Sequence, residues 1–139
     1  MARRLMYLVD TNVWLERLLD QEQSETVGAF LNSTDPGDLI VSDFALHSVG
    51  IIMCRLARAE DFVRFVADVF IEGGVALVRL DAADMVRLVS VMQSFGLDFD
   101  DAYQYVAAEK MGATIVSLDS DFDRTERGKV GPEEVALKG

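Results

Sequence analysis

Cysteine is almost missing from this sequence. Cys54 stands alone among 139 residues, so no internal disulfide can form. It lies beside Ile51, Ile52 and Met53, which predicts a core thiol. A reducing setting such as the cytoplasm fits that usage. Histidine is equally scarce, and His47 is the only one. No cluster of His and Cys ligands is therefore on offer for a zinc-type site. No apolar stretch approaches the length of a membrane span. The run over residues 5–9 stops at Asp10, too soon for the hydrophobic region of a signal peptide. Basic charge is also short: Lys and Arg number 13 against 24 Asp and Glu, for a net charge of −11. That is not the basic footprint of an ordinary nucleic-acid binder. Surface acids that keep the chain soluble explain most of it, and a site built from carboxylates would add to it. Neither Gly-x-x-x-x-Gly-Lys nor Gly-x-Gly-x-x-Gly occurs, so nucleotide-cofactor readings lack support.

Hydrophobic residues are plentiful, at 50%. A chain this long suits one domain over residues 1–139. At this size folding buries roughly 68–70% of the unfolded surface, enough to need no staples. Short apolar runs alternate with longer helical patterns, which predicts βα units and a parallel sheet. The strands are expected over residues 5–9, 39–41, 75–80 and 113–118. Helices are expected over 12–19, 24–31, 43–58, 61–71, 81–96 and 98–111. Ser42 caps the third helix, Asp81 the fifth and Asp98 the sixth, with Gly112 as the stop after the last. The segment Asp35-Pro36-Gly37-Asp38 reads as a turn. The tail beyond Gly128, with Gly131-Pro132, reads as irregular.

In open α/β sheets, ligands bind beyond the carboxyl ends of the strands. Asp10 follows the first strand, Asp119 follows the last, and Asp101 lies in the first turn of the helix that feeds it. Each has a plain structural explanation: a helix cap for Asp10, a favourable helix N-terminus for Asp98, Asp100 and Asp101, a turn for Asp119. Together they predict convergence at one sheet edge. Two carboxylates at 4 Å repel by about 4 kcal/mol at an effective dielectric of 20. Such a cluster persists only with a cation or a proton. Oxygen ligands alone favour Mg²⁺ or Mn²⁺. His47 is expected as a partly buried helix residue with a hydrogen-bonded ring, the alternative being a phosphate ligand or acid. Trp14, Tyr103 and Tyr105 are expected in the core, the alternative being base stacking. Arg124, Arg127 and Lys129 follow Asp119 closely, as a solvated loop or as a guide for a phosphate backbone.

The segment Val9-Asp10-Thr11-Asn12-Val13-Trp14-Leu15-Glu16 resembles the opening of a PIN domain. Asp101-Ala102 and Val106-Ala107-Ala108-Glu109-Lys110-Met111-Gly112-Ala113 resemble its third motif. Ile115-Val116-Ser117-Leu118-Asp119-Ser120-Asp121-Phe122 resembles its fourth, with Ser117 for Thr. The resemblance covers residues 7–123. It implies a three-layer α/β/α sandwich with a mostly parallel sheet of four or five strands. It implies Mg²⁺- or Mn²⁺-dependent hydrolysis of RNA, with Asp10, Asp101 and Asp119 as metal ligands and catalytic residues. Asn12 and Ser117 would orient those ligands. Many small bacterial and archaeal members are VapC-type toxins paired with an antitoxin protein, and a homodimer is implied. The second motif departs from the family. Ser48 stands where members usually carry Glu, and Asp43, Asp98 or Asp121 would have to supply the missing carboxylate.

Two other readings stay open. A PIN-fold binding module without turnover, acting through RNA or protein partners, is favoured by Ser48. A phospho-acceptor receiver domain is disfavoured, because it needs a Lys after the last strand. Here Lys110 precedes that strand and Lys129 lies well beyond it.

Overall fold

The first apolar run becomes a strand only where it is buried. In a computed structural model that describes residues 5–138, β1 spans Tyr7–Val9, and Leu5 is exposed. Helix α1 (Thr11–Leu18) follows at once, then α2 (Ser24–Ser33). A 3₁₀ turn at Pro36–Asp38 leads into β2 (Leu39–Ser42). The Ser42 hydroxyl accepts from Ala45 N–H at 3.0 Å and caps α3 (Asp43–Arg55). Helix α4 (Ala59–Val66) runs on as a π-helical segment, Ala67–Ile71. Strand β3 (Ala76–Val78), α5 (Met85–Phe95) and α6 (Phe99–Met111) come next. Gly112 takes φ 65 as the left-handed cap of α6. Strand β4 (Thr114–Val116), a 3₁₀ turn at Ser120–Arg124 and α7 (Pro132–Lys138) complete the described chain.

The four strands are all parallel, in the order β3-β2-β1-β4. Val130 adds a single parallel bridge to Val116 outside β4. Side chains alternate between the two faces. Leu8, Ile40 and Ile115 pack on one side with Leu88 and Val91 of α5 and Tyr105 of α6. Val9, Val41 and Val116 pack on the other with Val13, Phe30, Met53, Phe65 and Val135, drawn from α1, α2, α3, α4 and α7. This is the three-layer α/β/α sandwich. Burial on both faces explains why β1 and the middle of β2 and of β4 are apolar. Strand β3 lies at the sheet edge, is shorter than expected, and leaves Leu77 exposed.

Four expectations need correction. Helix α3 stops at Arg55, not near Arg58. Ala57 takes φ 59, and Arg58 N–H donates to Met53 O at 2.8 Å, a left-handed reversal with no glycine to announce it. Cys54 is exposed, not in the core. Ala45, Val49 and Met53 form the buried stripe at spacings of four, and Cys54 is turned about 100° away from it. His47 is exposed for the same reason, and no hydrogen bond reaches its ring among the described residues. The tail is not irregular. Pro132 starts α7, Glu134 accepts from Gly131 N–H at 3.2 Å, and Val135 is buried. Proline is well suited to the first helical turn, where its missing N–H costs nothing.

Candidate functional site

The connection that carries the chain from β3 to β4 crosses β1, so the direction of strand addition reverses between β1 and β4. In such a sheet the crevice opens outside the carboxyl ends of those two strands. Asp10 ends β1, and Ser117 and Asp119 follow β4. Asp101 comes from the first turn of α6, where Asp98 caps the helix by accepting from Asp101 N–H at 3.0 Å. The resulting cleft, about 270 Å³, is lined by Asp10, Asn12, Ser48, Asp101, Gln104 and Asp119 among others. Phe44, Ser48 and Ile52 of α3, spaced by four, form one of its walls.

Asp10 is nearly buried and surrounded by donors. Its Oδ1 accepts from Thr11 N–H at 2.9 Å and from Gln104 Nε2 at 2.9 Å. Its Oδ2 accepts from Ser117 Oγ at 2.8 Å and from Asn12 Nδ2 at 3.4 Å. Asn12 Nδ2 also reaches Ser117 Oγ at 3.2 Å, and Asn12 Oδ1 accepts from Leu118 N–H at 3.1 Å. Asn12 and Ser117 thus hold the Asp10 carboxylate against the start of the β4 loop. Burial raises the Asp10 pKa; the bonds from Gln104, Ser117 and Thr11 oppose the rise, and Asp119 adds to it.

Asp101, Asp119 and Asp121 each bring a carboxylate oxygen within 4.8 Å of the others. Asp119 also accepts from Asp121 N–H at 2.8 Å, which folds the 3₁₀ turn so that both acids point the same way. Burial, then the neighbouring charges of Asp98, Asp119, Asp10 and Asp121, push the Asp101 pKa up to about 7. Half-protonation at neutral pH is what a crowded acid cluster does when no cation neutralises it. Oxygen-only donors at this spacing suit a hard, hydrated divalent ion. Asp10, Asp101 and Asp119 therefore converge, with Asp121 beside them.

Other residues fall elsewhere. Asp98 is exposed and engaged as a cap. Asp43 accepts from the Tyr103 hydroxyl at 2.7 Å and from Phe44 N–H at 2.8 Å, which occupies it outside the cluster. Trp14, Tyr103 and Tyr105 are core residues. Arg124 reaches the Gly96 carbonyl at 3.1 Å, and Arg127 the Ala113 carbonyl at 2.8 Å, so both guanidiniums brace loops. Gln104 is the residue that inspection of motifs passed over. Its signal was its place: one polar side chain in a run of Ala, Tyr and Val, three residues after Asp101.

The family model of the PIN domain matches residues 7–128. The chain belongs to the PIN-domain family. Several solved structures share this PIN fold at low identity. VapC20 of Mycobacterium tuberculosis, described as a toxin that cleaves the sarcin–ricin loop, aligns with TM-score 0.76 and 18% identity over 91% of this chain and 99% of that one. A toxin–antitoxin complex from Klebsiella pneumoniae aligns with TM-score 0.73 and 16% identity, covering 91% and 97%. FitAcB from Neisseria gonorrhoeae gives TM-score 0.69 and 21% identity, covering 91% and 98%. No curated protein sequence is a significant match to this PIN domain. No described helix is long and apolar enough to cross a membrane.

Proposed function

We propose that this PIN domain is a divalent-metal-dependent endoribonuclease, the toxin of a toxin–antitoxin pair, working in the cytoplasm as a homodimer. The observation that carries the reading is the meeting of Asp10, Asp101 and Asp119 in one cleft at the carboxyl edge of the sheet. The toxins and complexes that share the fold support it, and the sarcin–ricin loop cleavage in the description of VapC20 supports a nuclease. Asp101 and Asp119 would hold Mg²⁺ or Mn²⁺, with Asp10 at the buried end of the cluster and Asp121 at the open end. When bound, such an ion would neutralise charge on a phosphoryl oxygen and lower the pKa of water, so that water gives up a proton and attacks phosphorus as hydroxide. The chain's own part is orientation. Asn12 and Ser117 fix Asp10, and the turn after β4 fixes Asp119 and Asp121. The test is cleavage of single-stranded RNA with Mn²⁺ against chelator. Asp10→Asn serves as the inactive control, and cleavage undiminished in that variant would refute the mechanism. A binding module without turnover is the second reading, favoured by Ser48 in place of Glu. It gains if the wild type binds Mn²⁺ yet cleaves no RNA.

The Asp101 pKa near 7 sets a pH dependence with opposite signs with and without metal. Without metal, the folded chain holds the Asp101 proton more tightly than the unfolded chain, whose carboxyl titrates near the ordinary value. That stability is fully present below the unfolded value and is lost as pH rises through about 7. The metal-free Tm should therefore fall between pH 5 and pH 8, and Asp101→Asn should flatten the fall. Mn²⁺ competes with the same proton, so its affinity should rise by about tenfold per pH unit below 7 and level off above. Calorimetric titrations at several pH values check this, and a pH-independent affinity would show that Mn²⁺ displaces no proton from Asp101.

A further inference from the structure

The side chain of Gln104 is almost fully buried, and so are Ser42 and Asp10, its two partners. Buried polar groups are costly unless every one is paired, and the pairing here has only one consistent direction. Ser42 Oγ accepts from Ala45 N–H at 3.0 Å, so its single proton is free to point elsewhere. It points at Gln104 Oε1, 2.5 Å away. The carboxamide oxygen is thereby committed to Ser42, and Nε2 must face Asp10 Oδ1, at 2.9 Å. The flipped amide would set its oxygen against the Asp10 carboxylate oxygen, and that contact decides the orientation. The other side of Asp10 repeats the logic. Ser117 Oγ accepts from Asp119 N–H at 2.9 Å and from Asn12 Nδ2 at 3.2 Å, and donates its proton to Asp10 Oδ2 at 2.8 Å.

We propose that Gln104 is the positioning residue of this centre. It holds the Oδ1 side of the Asp10 carboxylate, and Ser42, the N-cap of α3, fixes the orientation of the Gln104 amide. The proposal rests on the metal-dependent reading above. Gln104 lies three residues after Asp101 on the same face of α6. One helix thus carries an acid of the cluster and the clamp on the acid contributed by β1. The link to Ser42 ties both to α3, whose Ser48 forms the opposite wall. The Oδ1 side of Asp10 is then tied to α6 and, through Ser42, to α3, while Ser117 and Asn12 hold the Oδ2 side.

The test replaces Gln104 with Met, which keeps the length and removes the donor. Partners of metal ligands typically contribute about 10–100-fold to affinity. Gln104→Met should weaken Mn²⁺ binding by that factor in calorimetry. In an Asp10→Asn background the same change should cost less than about threefold, because the clamp then has no carboxylate to hold. A merely structural Gln104 would lower the Tm in chelator and leave the Mn²⁺ affinity alone, and that result overturns the proposal. So does an equal loss in both backgrounds. Should Gln104→Met fail to fold, Ser42→Gly removes the hydroxyl and leaves a residue that N-cap positions accept. It should weaken Mn²⁺ binding in the Asp10 background only, and unchanged affinity overturns the proposal. If the wild type itself binds no Mn²⁺, the metal-dependent reading fails first, and the proposal falls with it.

Discussion

Asp119→Asn should fold as well as the wild type in chelator, or better, and yet lose most of its stabilisation by Mn²⁺. Asparagine keeps the side-chain oxygen that accepts from Asp121 N–H, so the turn after β4 survives. What disappears is one negative charge among Asp10, Asp101, Asp119 and Asp121. Two like charges at 4.8 Å repel by roughly 3.5 kcal/mol at an effective dielectric of 20. Solvent reduces that figure here, because Asp119 and Asp121 are only half-buried. The sign is still clear: removing the charge relieves strain in the metal-free protein. With metal the comparison reverses. A ligand at 100 times its Kd stabilises the folded state by about 2.7 kcal/mol. For a domain of this size that corresponds to a Tm rise of roughly 8–10 °C. Asp119→Asn should show less than about a third of that rise at the same Mn²⁺ concentration. Thermal melts with Mn²⁺ and with chelator decide it, and equal shifts in both proteins would remove Asp119 from the set of ligands.

The parts of this site that were legible in sequence are those tied to strand ends. A buried parallel strand is mostly apolar, so a carboxylate directly after an apolar run marks its end, as Asp10 does after β1; the last strand stops at Val116, two residues short of the expected end before Asp119. Strand ends in one parallel sheet lie along one edge. That is why acids more than one hundred residues apart in sequence, Asp10 and Asp119, arrive in one cleft. The network that holds them was not legible. A hydrogen bond between Gln104 and Asp10 depends on how α6 is rotated over β1, which follows from the packing of Tyr105, Leu8 and Ile115 and not from local pattern. The errors have the same origin. Cys54 and His47 sit in an apolar stretch of α3 that is hydrophobic nearly all round, so periodicity did not say which side faces the sheet. The reversal at Ala57 uses a residue that rarely takes positive φ. Gly131-Pro132 makes the tail look irregular in sequence, although proline also begins helices, as Pro132 begins α7.

Ser48→Glu should raise both metal affinity and cleavage. Ser48 stands between Phe44 and Ile52 on the α3 wall of the cleft, facing the space shared by Asp10, Asp101 and Asp119. A cleft of about 270 Å³ has room for the longer side chain. An added carboxylate there raises the negative charge that a cation sees and supplies one more oxygen ligand. Mn²⁺ affinity should rise by about tenfold or more, which is about 1.4 kcal/mol. Cleavage of single-stranded RNA should rise with it, while the metal-free protein should melt earlier, because a fifth acid has joined the cluster. The opposite outcome has its own structural cause. Asp121 already lies within 4.8 Å of Asp101 and Asp119, held from behind by Arg124 at 3.6 Å. If Asp121 has taken over the missing role, the new Glu is surplus, affinity stays flat and activity falls through crowding. The two cases separate in a double-mutant cycle with Asp121→Asn. Where Glu at position 48 substitutes for Asp121, removing Asp121 weakens Mn²⁺ binding strongly in the wild type and weakly in Ser48→Glu. Where the two acids act independently, the loss is the same in both backgrounds. Where Asp121 plays no part, it is negligible in both. Calorimetric Mn²⁺ titration of the four proteins, beside the RNA assay, distinguishes these three results.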